Sequence, residues 1–288
     1  MKAPPFAYAR PGTVEEALEL LRDAGSEAKL LAGGQSLVPV LAFRLFRPSH
    51  LVDIDAVAGL DGIVERDGEL ELGALVRHAQ LERAELRGAH RLLALAAHQI
   101  GHVPIRMRGT LGGSLAHADP AAELPVAALA LDARMVVRSA GGEREIAADK
   151  FFLGPFTTAL EPDEMIVAVR IPQAASPSSA GFHEFCLRSG DFALASAGVS
   201  VAYDEDGAVT RARIVVGGVD AVPRPMQAAE EIVAGAYLDA ETIGEAARLA
   251  AASCEPLEDG DVDEAGRSDL VAAVVRRALG EAQLAAAA

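Results

Sequence analysis

The sequence predicts an α+β protein with a two-lobed N-terminal domain and a smaller C-terminal domain. Short apolar runs typical of strands alternate with helical patterns through the N-terminal part of the chain. A stretch rich in Ser, Ala and Pro, 173–180, then separates this part from three longer strand patterns that are followed by helices. We therefore expect domains at 1–175 and 180–282, with the lobes of the first at about 1–57 and 58–172.

The first lobe begins with a short strand and a helix. Thr13 and Glu16 have the spacing of a capping box, and Gly25 is suited to end the helix. A short buried strand then leads into a glycine-rich loop. The predicted elements are strands at 6–10, 28–31 and 51–54, a helix that starts after Thr13, and a short helix or turn at 37–43.

The second lobe begins with a predicted hairpin at 63–72. Its turn, Asp67-Gly68, has the residues that a type I′ turn prefers, and the flanking residues alternate between apolar and charged. The pair Gly141-Gly142 is expected to be only a turn. The other predicted elements are helices at 78–86, 89–98 and 125–131 and strands at 135–137, 145–146 and 164–171.

The C-terminal domain is predicted to be a three-stranded antiparallel sheet with helices. A sheet covered by helices on one face is a compact arrangement of this class. The predicted strands are 182–187, 193–203 and 209–217, and the predicted helices are 226–233, 240–252 and 269–279.

Composition narrows the class of function. Hydrophobic residues make up 51% of the 288 residues and charged residues 24%, which is typical of a globular protein. The formal net charge of −16 argues against a nucleic-acid partner, because phosphate backbones are bound by clustered Lys and Arg. No apolar run reaches the roughly 18 residues that span a bilayer, and the N-terminus has no secretory signal. We therefore expect no stable membrane insertion and a cytoplasmic location.

Cysteine and histidine limit the metal chemistry of the chain. Cys186 and Cys254 are its only cysteines, whereas an iron–sulfur cluster needs about four thiolates. The seven histidines are scattered without metal-binding spacing. We therefore expect no metal site here, and we expect any cluster to belong to a partner.

Two glycine loops carry the strongest functional signal. One is Ala32-Gly33-Gly34-Gln35-Ser36, and the other is Gly109-Thr110-Leu111-Gly112-Gly113-Ser114. Without a Cβ, consecutive backbone N–H groups can point at an anion such as a pyrophosphate, and the hydroxyl and amide side chains add donors. A single Gly-Gly pair is more often a turn, but two such loops, each after an apolar run, are stronger evidence for an anion-binding site. Neither loop matches the Rossmann or P-loop pattern.

These residues also carry a family resemblance. The segment from Ile105 to Glu123 closely resembles the second flavin motif of the medium, FAD-binding subunit of the molybdenum hydroxylases, which include bacterial xanthine dehydrogenase and carbon monoxide dehydrogenase. The segment from Ala32 to Ser36 looks like the first flavin motif of that family. Arg188-Ser189-Gly190-Asp191-Phe192-Ala193 is similar to its third signature. The resemblance covers about residues 6–278, and three motifs in the family's order make it specific.

The resemblance implies a fold, a cofactor and partners. It implies an FAD-binding domain of the PCMH/vanillyl-alcohol-oxidase type, with noncovalent FAD between the lobes. It also implies a dimer of heterotrimers, in which a large subunit holds the molybdenum cofactor and a small subunit holds two [2Fe–2S] clusters. Electrons would pass from the clusters to FAD and on to an external acceptor, so no catalytic residue is expected on this chain. The alternatives are a self-contained FAD-dependent oxidase or dehydrogenase and a non-catalytic nucleotide-binding module.

The resemblance also implies which residues hold FAD. They belong to the first motif with the strand before it, to the second motif with its flanks, and to isolated positions elsewhere. The expected cofactor-binding residues are Lys29, Leu30, Leu31, Ala32, Gly33, Gly34, Gln35, Ser36, Gly101, Thr110, Leu111, Gly112, Gly113, Ser114, His117, Ala118, Asp119, Glu123, Ile166, His183 and Arg188.

Several residues near the second loop allow two interpretations. His117 either donates to the cofactor or satisfies a loop carbonyl. Asp119 and Glu123 form a carboxylate pair for acid–base work, or Asp119 caps the following helix, which we favour. By the resemblance, Glu123 meets the sugar portion of the flavin nucleotide. Arg106 and Arg108 offset cofactor charge, pair with acidic groups of a partner, or are simply solvated charges.

Overall fold

The first lobe is a small parallel sheet with two helices. The structure, a computed structural model, describes residues 2–175, 177–254 and 264–286. The three strands of this lobe are all parallel, in the order β1-β3-β2. Its elements are β1 (Ala7–Ala9), α1 (Val14–Ala24), β2 (Ala28–Leu31), α2 (Leu37–Ala42) and β3 (His50–Asp53).

Helix α1 confirms the predicted N-terminal cap, with one shift. The Thr13 hydroxyl accepts the Glu16 amide at 3.2 Å, but the Glu16 carboxylate accepts the amide of Gly12 at 2.7 Å. The helix buries one apolar stripe at helical spacing. This stripe belongs to a core that also contains residues of the second lobe, so the two lobes share buried contacts. The stripe consists of Val14, Ala17, Leu18 and Leu21.

The second lobe contains a five-stranded antiparallel sheet in the order β4-β5-β10-β6-β7. The Asp67-Gly68 turn has positive φ at both residues, 53° and 78°, as a type I′ turn requires. The elements are β4 (Ile63–Arg66), β5 (Glu69–Gly73), α3 (His78–Arg83), α4 (Leu92–Gln99), α5 (Val103–Arg106), α6 (Leu111–His117), α7 (Glu123–Ala130), β6 (Arg134–Ser139), β7 (Gly142–Ala147), α8 (Ala148–Phe151), β8 (Phe152–Gly154), β9 (Thr157–Thr158) and β10 (Met165–Pro172).

The main difference from the predicted second lobe concerns the second glycine segment. It forms the short helix α6 rather than a loop. Thr110 has an extended backbone and accepts the amide of Gly113 through its side chain, so it is the N-cap of this helix. The sequence predicted a loop here because the segment contains two consecutive glycines, which are poor helix formers. The cap and the surrounding packing outweigh that preference.

The described part of the C-terminal domain has four strands instead of the predicted three. The order is β11-β12-β13-β14, all antiparallel, and β14 is a two-residue strand at the edge. The predicted linker is also shorter, because β11 begins at Ser178; residue 176 lies outside the described residues. The elements are β11 (Ser178–Phe185), β12 (Ala195–Tyr203), β13 (Val209–Gly217), β14 (Arg224–Pro225), α9 (Gln227–Val233), α10 (Ala240–Ala252) and α11 (Glu264–Ala286).

The C-terminal sheet has a different neighbour on each face. Ala180, Phe182 and Val215 join the largest apolar core, which otherwise belongs to the second lobe. The opposite face packs with α9, α10 and α11 in a core of its own. A Cβ on Gly181 would overlap the backbone of α11, so this helix lies close against β11. Among the described residues no helix is both long enough and apolar enough to cross a membrane.

Candidate functional site

The first glycine loop forms one wall of a cleft between the N-terminal lobes. It joins β2 to α2, and Gly34 has a φ of +73°. In the described part of the chain, the amide N–H groups of Gly33, Gly34, Gln35 and Ser36 have no hydrogen-bond acceptor. Free backbone donors beside a cleft are what an anionic ligand requires. The cleft holds about 340 Å³ and is lined by Leu31, Ala32, Gly33, Gly34, Gln35, Val38, Pro39, Asp53 and Arg108.

The Gln35 side chain stabilises this loop from within. Its Nε2 donates to the carbonyl of Gly33 at 3.1 Å. The amide that the sequence suggested as a donor to the ligand is therefore used inside the loop. The backbone N–H groups remain as the donors that the loop offers to the cleft.

The second glycine segment differs from the first, because its amides already have protein acceptors. The sequence predicted that they are free to hold an anion, and this prediction is wrong for five of them. The bonds run from Gly109 N to Ile105 O (2.7 Å), from Leu111 N to Val76 O (2.9 Å), from Gly112 N to Ala74 O (2.8 Å), from Gly113 N to Thr110 Oγ1 (3.2 Å) and from Ser114 N to Thr110 O (3.0 Å).

The glycines of this segment serve close packing. A Cβ on Gly112 would lie 2.7 Å from the Cβ of Ala74, so Gly112 fits only without a side chain. A Cβ on Gly113 would lie 2.7 Å from the Thr110 hydroxyl and 3.7 Å from the Cβ of Ala32. The bare Gly113 therefore faces the first loop, and the partly buried Ser114 follows it.

Two side chains hold the second motif, and one of them also reaches the first lobe. The Arg77 guanidinium donates to the carbonyl of Arg108 and forms an ion pair with Asp55, which follows β3. The His78 Nε2–H donates to the carbonyl of Thr110 at 3.0 Å. Burial lowers the pKa of His78 to about 4, so this ring is neutral at physiological pH. Neither Arg77 nor His78 was predicted, because their partners are distant in sequence.

Arg106 has a structural role in this arrangement. It is buried, and its guanidinium binds the Glu82 carboxylate at 3.0 Å and the carbonyls of Ile100 and Gly101 at 3.0 Å each. Gly101, one of the predicted cofactor residues, has a φ of +41° in this turn. Neither a solvated charge nor a contact with a partner or the cofactor was realised for Arg106, because its guanidinium is buried and pairs with Glu82 of the same chain.

The residues after α6 form a turn. Ala118 has a φ of +49°, which ends the helix. The His117 ring contacts Phe156, with 5.1 Å between ring centroids, and its Nε2 lies 4.0 Å from the Asp119 carboxylate. Burial is the main cause of the lowered pKa of His117; the Asp119 carboxylate opposes this shift, and the charge of Lys29 adds to it.

The prediction that Asp119 caps the next helix is wrong. Its carboxylate accepts the amide of Ala121 at 2.9 Å, two residues on, whereas α7 begins only at Glu123 with Ala122 as its N-cap. The residues 120–122 extend the turn before the helix starts. Asp119 therefore stabilises the turn and not the helix.

Glu123 and Glu184 form an acidic pair at the boundary between the two domains. Burial raises the pKa of Glu123 to about 8, and repulsion from Glu184 adds to this. Burial also raises the pKa of Glu184 to about 7, and its Oε2 has no hydrogen-bond partner among the described residues. A carboxyl group that is protonated near neutral pH can donate a hydrogen bond as well as accept one, which suits a hydroxyl-rich ligand.

His183 was predicted as a cofactor-binding residue, whereas its neighbour Glu184 was not. Along β11 the side chains alternate, and Phe182 faces the second lobe. Glu184 shares this face, whereas His183 lies on the side of α11, where its Nε2 accepts a hydrogen bond from Arg277 at 2.9 Å. The structure therefore does not bring His183 to the cleft. The signal in the sequence was the alternation of side chains along a strand, which places Glu184 on the same face of β11 as Phe182.

The remaining predicted residues take different positions. Ile166 is buried on β10 next to a bulge, and Leu30 packs against the first-lobe core. Arg188 is exposed in a turn where its carbonyl accepts the amide of Asp191 at 3.0 Å. In the same turn Gly190 has a φ of +88°, and a Cβ there would lie 2.7 Å from His102 Nε2. This turn of the C-terminal domain therefore contacts the second lobe.

Two family models match the chain. Residues 4–174 match the FAD binding domain in molybdopterin dehydrogenase, and residues 180–282 match the CO dehydrogenase flavoprotein C-terminal domain. The 6-hydroxypseudooxynicotine dehydrogenase complex subunit alpha of Paenarthrobacter nicotinovorans is 43% identical over 283 residues, covering 98% of this chain and 96% of the relative. The carbon monoxide dehydrogenase medium chain of Hydrogenophaga pseudoflava is 35% identical, with 98% of each chain covered.

Solved structures show the same fold. A chain of carbon monoxide dehydrogenase from Hydrogenophaga pseudoflava, in a form that lacks the Mo-pyranopterin moiety of the molybdenum cofactor, superposes with a TM-score of 0.93 at 35% identity and 99% coverage of both chains. A chain of quinoline 2-oxidoreductase from Pseudomonas putida 86 gives a TM-score of 0.92 at 36% identity, again with 99% of both chains covered.

Proposed function

Since this chain belongs to the FAD-binding medium subunits of the molybdenum-containing dehydrogenases, we propose that it binds FAD noncovalently between its N-terminal lobes. It is an oxidoreductase subunit of such a complex. We further propose that it receives electrons from [2Fe–2S] clusters of a small partner subunit and passes them to an external acceptor. A large partner subunit would hold the molybdenum cofactor.

The observation that carries the cofactor proposal is the set of four free amides at Gly33–Ser36 beside the cleft. FAD brings a diphosphate that accepts such donors, and none of the described residues that line the cleft is a lysine. When bound, FAD supplies the chemistry of taking single electrons and releasing a pair. The residues of this chain bind and orient the cofactor. No residue of this chain is assigned a catalytic proton transfer.

The second motif contributes shape more than backbone donors in this proposal. The bare Gly113 leaves room opposite Ala32, and Ser114 offers a hydroxyl. Glu123 is assigned to the sugar hydroxyls, and Glu184 joins it in place of His183, because it is Glu184 that shares the side of the second lobe. Ile166 and Arg188 keep their predicted roles in the site.

Noncovalent binding has a direct test. Acid precipitation of the purified chain is expected to release a yellow chromophore with the spectrum of FAD into the supernatant. Flavin that stays with the pellet would show a covalent bond. A chain without any flavin, even after incubation with FAD, would contradict the cofactor proposal itself.

The role as a subunit is tested by reconstitution. The FAD-loaded chain alone is expected to show no flavin reduction by the substrate of the complex, because two distant cysteines cannot hold an iron–sulfur cluster. Addition of the cluster-bearing and molybdenum subunits should restore reduction. Reduction by the chain alone at the rate of the complex would instead establish a self-contained flavoenzyme. We also keep the domain limits 1–175 and 180–282, the cytoplasmic location and the dimer of heterotrimers as proposals.

A further inference from the structure

The cleft beside the first glycine loop has two charged side chains in its lining, Asp53 and Arg108. They come from different lobes, because Asp53 ends β3 and Arg108 follows α5. A chain with a net charge of −16 presents an unfavourable overall field to a diphosphate. The charge balance inside this cleft therefore matters for any anionic ligand.

Asp53 is held by partners within the first lobe. Its Oδ2 accepts the Tyr8 hydroxyl at 2.5 Å, and its Oδ1 accepts the amide of Asp55 at 3.0 Å. The Arg10 guanidinium lies 3.8 Å from the same carboxylate. Asp53 is therefore fixed in place, and its negative charge is partly balanced from outside the cleft.

Arg108 has a fixed backbone and an uncommitted side chain. Its carbonyl accepts a hydrogen bond from Arg77 and lies against Gly33. Its side chain is exposed, and within the described ranges its guanidinium has no ion-pair or hydrogen-bond partner. A guanidinium positioned in this way beside four free amides can donate to a phosphate without first breaking a protein contact.

We propose that the Arg108 guanidinium binds the diphosphate of FAD, opposite the free amides of Gly33–Ser36. The inference rests on the proposed function, because it assumes that FAD occupies this cleft. Arg108 supplies positive charge to a ligand that the backbone holds only through dipoles. It also offsets Asp53, the negative group in the lining. Arg108 is therefore a cofactor-binding residue, whereas Arg106, two positions earlier, is a buried structural cation.

The test is a dilution series of the FAD-loaded full chain, with the fluorescence of released FAD as the readout. For Arg108→Gln we expect the dissociation constant at low salt to rise at least about tenfold, equivalent to about 1.4 kcal/mol. The difference from the wild type should shrink as salt is added, because salt screens an exposed charge. Arg108→Lys should recover part of the affinity. Arg87→Gln is the matched control, because Arg87 is also exposed and does not line the cleft.

The outcomes separate the inference from the proposed function. A wild-type chain that holds no FAD would overturn the proposed function. A wild-type chain that holds FAD, together with Arg108→Gln binding as tightly at every salt concentration, would overturn the inference alone. If Arg108→Gln lost the same affinity for FAD at low and high salt, or if Arg87→Gln lost as much, the inference that Arg108 makes a charged contact with the cofactor would be wrong.

Discussion

Gly33 and Gly109 meet backbone to backbone: a Cβ added to Gly33 would lie 2.8 Å from the Cα of Gly109 and would overlap the carbonyl oxygen of Arg108. The two glycines belong to different lobes and to the two flavin motifs. Gly109 is itself confined on its other side, where a Cβ would lie 2.6 Å from the His78 ring. The motif glycines therefore set the distance between the lobes, in addition to allowing a ligand close to the backbone.

We expect Gly33→Ala to weaken both FAD binding and folding. The added methyl group collides with backbone atoms, which cannot rotate away as a side chain can, so the lobes must separate locally. Overpacking of this kind costs roughly 1–3 kcal/mol. The checks are flavin occupancy after purification and the urea midpoint of the flavin-free chain. Gly62→Ala is the control, because a Cβ there meets no atom within 4 Å. Full occupancy and an unchanged midpoint in Gly33→Ala would refute the tight contact.

We expect Thr110→Ala to destabilise the chain by about 1 kcal/mol, because helix α6 loses its N-cap. Thr110 is buried, and its hydroxyl is the acceptor of the Gly113 amide. Thr110→Ser retains the hydroxyl and should retain most of the stability. Urea unfolding of the flavin-free variants gives the comparison. If the Ala variant were as stable as the Ser variant, the cap would have no energetic role.

The raised pKa of Glu123 leads us to expect that the free energy of unfolding falls as pH rises. Its pKa is about 8 in the folded chain, against 4.5 for an ordinary Glu. Between these values the folded chain holds a proton that the unfolded chain has released, so stability falls as pH rises through this window. We expect Glu123→Gln to flatten the decline and to exceed the wild type in stability above pH 8. Urea unfolding of the flavin-free chain between pH 5 and pH 8.5 measures this pH dependence of stability. The exposed Glu65→Gln should leave the wild-type slope intact.

The lowered pKa of His78 leads us to expect the opposite pH dependence of stability, at more acidic pH. Its pKa is lowered from 6.5 to about 4 by burial, so between these values the unfolded chain binds a proton that the folded chain excludes. Stability should therefore fall as pH drops from 6.5 towards 4. In His78→Gln, which keeps an N–H donor for the Thr110 carbonyl, we expect a weaker dependence. The exposed His50→Gln serves as the control. An acid dependence unchanged by His78→Gln would place the titrating group elsewhere.

Local signals in the sequence were sufficient for the family and for most elements. The three motifs identified the FAD-binding medium subunits, which the family matches confirm. The Asp67-Gly68 turn and the Thr13 cap depend on residues that are neighbours in the chain, so their chemistry is readable from spacing. The three longer strands of the C-terminal sheet were also predicted, although the two-residue β14 was too short to give a pattern.

Tertiary structure decided what the motif residues bind. The Gly112 amide donates to the carbonyl of Ala74, which lies far from Gly112 along the chain. No pattern around Gly112 indicates this acceptor. The contact of Gly33 with Arg108, and with it the place of Arg108 in the cleft, requires the two lobes to be packed together. The sequence by itself determined which groups are available to donate and accept. Only the folded chain decides which of them are already paired, because a hydrogen-bond partner is selected by distance in space rather than along the chain.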